Sequence, residues 1–195
     1  MRLRPILVLG VALGLSVAMG PLVAQEPQHS GRHLGHASPY AGLEEREVKS
    51  LSEEDIEALR QGGGWGLALP AELNGVPGPA HLLELRNELG LSEDQVSAIE
   101  AVQAEMRTEA IRAGERFMAA EAALDAAFTA GDLDEEHLRR LIHAAEAARG
   151  DLRFVHLSRH LSTPALLMNE QIDRYSGLRG YGSDACRDTA EGHCH

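Results

Sequence analysis

The sequence predicts an all-α protein: an antiparallel hairpin of two long helices with short flanking helices, four in all, between disordered N- and C-terminal tails. Three observations predict it. Val96, Ile99, Met106, Ala110, Ala113, Phe117, Leu124 and Phe128 recur at mostly three- and four-residue intervals, the period of one helix face. A helix-start signature occurs three times, as Leu51-Ser52-Glu53-Glu54-Asp55-Ile56, Leu91-Ser92-Glu93-Asp94-Gln95-Val96 and Leu133-Asp134-Glu135-Glu136-His137-Leu138. In each, a capping side chain sits between two apolar residues spaced to staple the entry. Aromatic residues make up only 4% of the chain, so the core must come from Leu, Ala, Val, Ile and Met, which suits helix-on-helix packing better than a sandwich.

Residues 1–24 have the form of a secretory signal peptide. Arg2 and Arg4 precede an apolar run from Ile6 to about Met19, and Leu22-Val23-Ala24 offers a cleavage site. The run is too short for a stable membrane span, and no cysteine follows it to carry a lipid anchor. Export to the periplasm is therefore expected, with Gln25 as the mature N-terminus. Residues 25–78 read as a disordered arm containing His29, His33 and His36, a short helix from Ser52 to near Arg60, and a linker broken by Gly62-Gly63-Gly64 and Asn74-Gly75-Val76-Pro77-Gly78. The glycine cluster lacks the lysine and the preceding strand of a phosphate loop.

Residues 79–182 read as the helical hairpin domain. A first helix covers about Ala80–Leu89 and stops at Gly90. The long helix starts at Glu93, ends at Gly131, and can span about 50 Å. A third helix opens after Asp134 with Leu138, Leu141, Ile142, Ala145 and Leu152 as its core stripe, and a fourth occupies about Pro164–Leu178. The short Gly131–Asp132 connection implies that the two long helices run antiparallel. Residues 183–195 form an irregular tail.

The charge is −12, and loss of Arg2 and Arg4 makes it more negative still. Such a chain repels phosphate backbones, which excludes nucleic acid as a partner. No nucleophile elbow, His-Glu-x-x-His or Walker motif occurs, so no enzyme is announced.

The chemistry-bearing candidates are histidines. His156 and His160 are one turn apart on one helix face, the spacing by which a helix offers two imidazoles to one metal. At about 100° per residue from Leu138, His156 returns to the same angle and His160 lies about 40° away, so both point into the apolar stripe. Each is either a buried histidine bonded to a carboxylate or backbone group, or a ligand. His81 and Glu84 on the first short helix could complete a set suited to Zn²⁺, Ni²⁺, Co²⁺ or Cu²⁺. His81 could equally be a solvated residue at a helix start. Cys186, His193, Cys194 and His195 hold the atoms for a secondary metal site, but a short-loop Cys186–Cys194 disulfide is the simpler reading. His29, His33 and His36 form a low-affinity metal arm at most, because closing a disordered segment costs entropy.

Leu91-Ser92-x-x-Gln95 resembles the LTxxQ motif of the Spy/CpxP-like periplasmic proteins, which include envelope-stress chaperones, zinc-resistance-associated proteins and CnrX-like heavy-metal sensors. Leu167-Met168-Asn169-Glu170-Gln171 occupies the place of the second motif, with Met168 where the capping Thr would stand, leaving the cap to Asn169 or Thr163. Ala71-Glu72-Leu73-Asn74-Gly75, Pro77-Gly78-Pro79, His81 and Arg174-Tyr175 to Gly182 extend the resemblance over most of the mature chain. The resemblance implies a bent four-helix hairpin that forms a homodimer, without catalytic residues. It implies metal binding through His, Glu and Met side chains in the CnrX-like members; between a membrane-bound regulator and unfolded clients as partner the sequence does not choose. The function expected is thus a non-enzymatic periplasmic stress protein that senses or buffers a transition metal. The alternative is an ATP-independent chaperone binding unfolded clients on an apolar surface that includes Met106, Phe117, Met118 and Phe128. The dimer is expected to form through the long helix, around Phe117.

Overall fold

The computed structural model describes residues 38–181. The signal peptide, the arm with His29, His33 and His36, and the tail with Cys186, His193, Cys194 and His195 lie outside the described residues. Those described are all-α, without strands: α1 (Glu53–Arg60), α2 (Leu69–Glu72), α3 (Pro79–Glu84), α4 (Glu93–Ala130), α5 (Glu135–Ser162) and α6 (Asn169–Leu178). Short 3₁₀ turns cover Leu43–Glu45 and Thr163–Leu166.

The starts are where the local chemistry places them. Ser52 Oγ accepts from the Asp55 N–H at 3.1 Å while Asp55 Oδ2 accepts from the Ser52 N–H at 3.0 Å. Ser92 and Gln95 make the same reciprocal pair at 3.2 and 3.0 Å, and Asp134 Oδ1 caps α5 through the His137 N–H. Each satisfies donors that a helix start would otherwise leave orphaned. Gly131, at φ 78°, ends α4 in the left-handed region that costs glycine least.

α4 and α5 make the most extensive contact between elements, and α3 and α1 pack on α4. Two apolar clusters result. In one, Val48, Leu51, Ile56, Leu59 and Leu67 pack with Ala110, Ala113 and Phe117 of α4 and Leu152 of α5. The short helix and glycine-rich segment, grouped with the arm in the sequence reading, thus bury their apolar residues on the long helices. In the other, Leu82, Leu89, Ile99 and Tyr175 join α3, α4 and α6.

Three expected features differ. α3 stops at Glu84, and the chain then continues in turns to Gly90, with the Leu89 N–H bonded to Leu85 O. The fourth helix is two pieces, because Leu167 and Met168 are extended. Glutamine side chains hold that break open: Gln95 Nε2 donates to Leu166 O and Gln171 Oε1 accepts from the Met168 N–H. Neither Asn169 nor Thr163 serves as the cap, since Met168 is the N-cap residue and the Thr163 hydroxyl donates back to Arg159 O. Finally, Phe128 and Ile142 are exposed instead of core. The apolar stripe runs on past α1 and the 39–67 segment, which cover its middle.

Candidate functional site

A cleft of about 400 Å³ opens between the glycine-rich loop 62–66, the α2–α3 connection and the long helices; Met106, Gln103, His81, His156, His160 and Glu72 line it. Among the described residues, no helix is long and apolar enough to cross a membrane.

His156 and His160 face inward, at 3% and 5% exposure. His160 Nδ1 lies 2.7 Å from Val76 O. A carbonyl only accepts, so Nδ1 carries a proton, and Nε2 is the nitrogen free to face another group. That Nε2 is 3.6 Å from Glu72 Oε1. His156 is bonded to the Gly63 backbone, which favours its charged form, yet burial and the nearby His160 outweigh this and hold its pKa below the ordinary value. Its Nε2 is buried without a partner. Both rings are therefore tied to the backbone and leave a nitrogen directed elsewhere, which is how second-shell bonds orient metal-binding imidazoles.

The loop that supplies Gly63 is itself anchored. Trp65 sits at φ 44°, an uncommon conformation for a residue with a side chain. Its indole N–H donates to Asp55 Oδ1 at 2.6 Å, its ring meets Phe117 at 5.6 Å, and the Arg149 guanidinium lies 5.7 Å over it. His160 is confined from the other side. A Cβ on Gly78 would lie 2.6 Å from both Cε1 and Nε2 of its ring.

The carboxylate of the site is Glu72, buried at the end of α2, and not Glu84. Glu84 is exposed because α3 turns its other face to the core. Glu72 Oε1 accepts from His81 Nδ1 at 2.9 Å, and Oε2 accepts from the Tyr175 hydroxyl at 2.6 Å. Arg179, one turn beyond Tyr175, reaches His81 Nε2 at 3.5 Å. Burial, followed by the Glu72 contact, pushes the Tyr175 hydroxyl far up, so it remains a proton donor. Sequence reasoning missed Glu72, Tyr175 and Arg179. One signal was available: Glu72 is the lone charged residue between Gln61 and Ala80.

The structure thus brings His81, His156 and His160 to one cleft with Glu72 and Met106. Among the described residues, no three His, Cys, Asp or Glu side chains already surround a common point as a closed metal cage would. His81 bonds the Glu72 oxygen nearest His160, so a cation there would share that oxygen with it. The donor set, two oriented imidazoles, a carboxylate and a thioether, still fits a borderline transition metal.

The motif residues do something else. Gln95 Nε2 donates to Gln171 Oε1 at 2.8 Å, and Gln171 Nε2 returns a bond to Gln95 Oε1 at 3.1 Å. Leu91 and Leu167 pack beside them on the second apolar cluster. Leu91, Ser92, Gln95, Leu167 and Gln171 therefore clamp the start of α4 to the start of α6. No family model, curated protein or solved structure matches this chain.

Proposed function

We propose that this chain is a non-enzymatic periplasmic stress protein of the Spy/CpxP-like group that captures a transition metal, for sensing or buffering, in the cleft holding His156, His160 and Glu72. The observation that carries the proposal is the pair of imidazoles on α5. Each has a backbone carbonyl partner, and His156 Nε2 is buried and unpartnered. A buried nitrogen without a protein partner calls for one, and its lone pair suits a cation. Glu72 supplies the negative charge, and Met106, which also lines the cleft, a soft donor. His156, His160 and Glu72 would hold the metal through their free nitrogens and a carboxylate oxygen; Zn²⁺, Ni²⁺, Co²⁺ and Cu²⁺ all suit this donor set. The bent antiparallel hairpin, the two-fold dimer and a membrane-bound regulator belong to the same proposal.

Calorimetric titration of the exported chain with each metal tests it, after His29, His33, His36, His193 and His195 are changed to Ala and Cys186 and Cys194 to Ser. Binding of one metal per chain that is lost in His156→Ala/His160→Ala is expected. Equal affinity of that double variant would remove the core site.

One observation favours a second reading, the ATP-independent chaperone. Phe128, Phe154, Leu161 and Ile142 are exposed on the long helices, Leu161 by 82%, and large exposed apolar side chains on a helical surface suit unfolded clients. Suppressed aggregation of a reduced client in EDTA is the expected result under that reading. No suppression at several-fold molar excess would count against it.

A further inference from the structure

α6, the last helix among the described residues, contacts the cleft by one strong bond. Tyr175 is fully buried among Leu82, Leu89 and Ile99. Phenylalanine would fill that apolar space as well; the hydroxyl is what needs a partner. It finds one in Glu72 Oε2 at 2.6 Å, across 103 residues of sequence. The same carboxylate points its other oxygen at His81 Nδ1 and towards His160 Nε2.

We propose that Tyr175 is a positioning residue for Glu72: by holding Oε2 it turns Oε1 towards His160, so that metal affinity depends on α6 being docked. The inference rests on the metal reading of the cleft. A carboxylate on a four-residue helix beside a Gly/Pro-rich connection has little of its own to fix its torsions. The Tyr175 bond removes that freedom before the metal arrives, as outer partners do for ligating carboxylates. Oε1 is then the oxygen left to coordinate. His81 also bonds Oε1 and meets Arg179 of α6; the second lone pair of Oε1 leaves room for a cation beside that bond, while Tyr175 keeps Oε2. Occupancy of the cleft and docking of α6 are therefore linked in both directions.

The test is Co²⁺ titration of the exported chain carrying the tail substitutions given above, followed by calorimetry and by visible absorption, which reports the ligand set. Tyr175→Phe is expected to bind 10- to 100-fold more weakly, the usual effect of losing an outer partner, with an altered spectrum. In a Glu72→Gln background the same substitution should have no further effect, because its route is through Glu72. Adding Co²⁺ to the parent protein should slow amide exchange in α6. Wild-type affinity and spectrum in Tyr175→Phe overturn the inference, as does an equal loss in the Glu72→Gln background. If Tyr175→Phe fails to fold, the exchange measurement decides: α6 protection unchanged by Co²⁺ overturns the inference. Absence of Co²⁺ binding by the parent protein overturns the metal reading and this inference together, whereas parent binding with an unaffected variant overturns this inference alone.

Discussion

Adding one methyl group at Gly78 should damage the cleft more than any comparable change on the surface. The Cβ of Gly78→Ala would sit 2.6 Å from Cε1 and Nε2 of His160, where ordinary contact begins at 3.4 Å. The ring has to retreat by about 0.8 Å, since it is the movable partner. It is not free to do so, because its Nδ1 is held by Val76 O at 2.7 Å and Val76 is only two residues from Gly78. Either the bond breaks or the turn distorts. Overpacking costs about 1–3 kcal/mol and a lost hydrogen bond about 1 kcal/mol, so a loss of about 2–4 kcal/mol is expected. For a domain of this size that lowers the melting temperature by roughly 5–15 °C. The assay is urea unfolding of the metal-free protein, together with the His160 imidazole resonances by NMR. The loss should shrink when His160 is already Ala, because the clash is gone. A change under about 0.5 kcal/mol, the usual surface value, with unmoved His160 resonances would refute the reasoning.

Three more outcomes follow from the same structure. His156 has a folded pKa below its ordinary 6.5; between those two values the unfolded chain binds the proton more readily, so metal-free stability should fall as pH drops through that window and be complete above it. The stability difference between wild type and His156→Gln, followed from about pH 7 to pH 5, isolates this residue, and a flat difference would contradict the assignment. Gln171→Ala should cost about 2–4 kcal/mol by denaturant unfolding, because Gln171 is 4% exposed and its removal orphans the Met168 N–H and Gln95. Strict additivity with Gln95→Ala would show that the two glutamines do not act as a clamp. Phe117→Asp should unfold the protein by burying an unpaired carboxylate, since Phe117 is 3% exposed against Trp65, whereas exposed Phe154→Asp should leave stability within about 0.5 kcal/mol. If Phe117→Asp instead yields a folded monomer, the intramolecular packing of Phe117 is wrong.

That last pair corrects an expectation about the dimer. Read along α4, Phe117 belongs to an apolar stripe wide enough to meet a second copy. In the folded chain Leu59, Trp65 and Leu67 come from the preceding segment and cover it, while on α4 and α5 the exposed large apolar side chains are Phe128, Ile142, Phe154 and Leu161. Periodicity shows which face is apolar but not what lies on it.

The caps, the helix starts and the inward aim of His156 and His160 were legible because they are short-range. Ser92 and Gln95 are three residues apart, and a helical phase carries from Leu138 to His156 without reference to anything else. The break at Leu167–Met168 was not legible, because it is held by Gln95, which lies 71 residues from Leu166. The same limit applies to the carboxylate. Glu84 shares a helix with His81 and so presented itself as its partner, yet it is Glu72, 103 residues from Tyr175, that bonds both His81 and Tyr175 in the fold. Local pattern was sufficient for which residues start helices and which turn inward. Which buried acid faces the imidazoles was decided by packing, because a carboxylate at the end of a four-residue helix has no periodicity to aim it, and its direction comes from the groups that bond it across the fold.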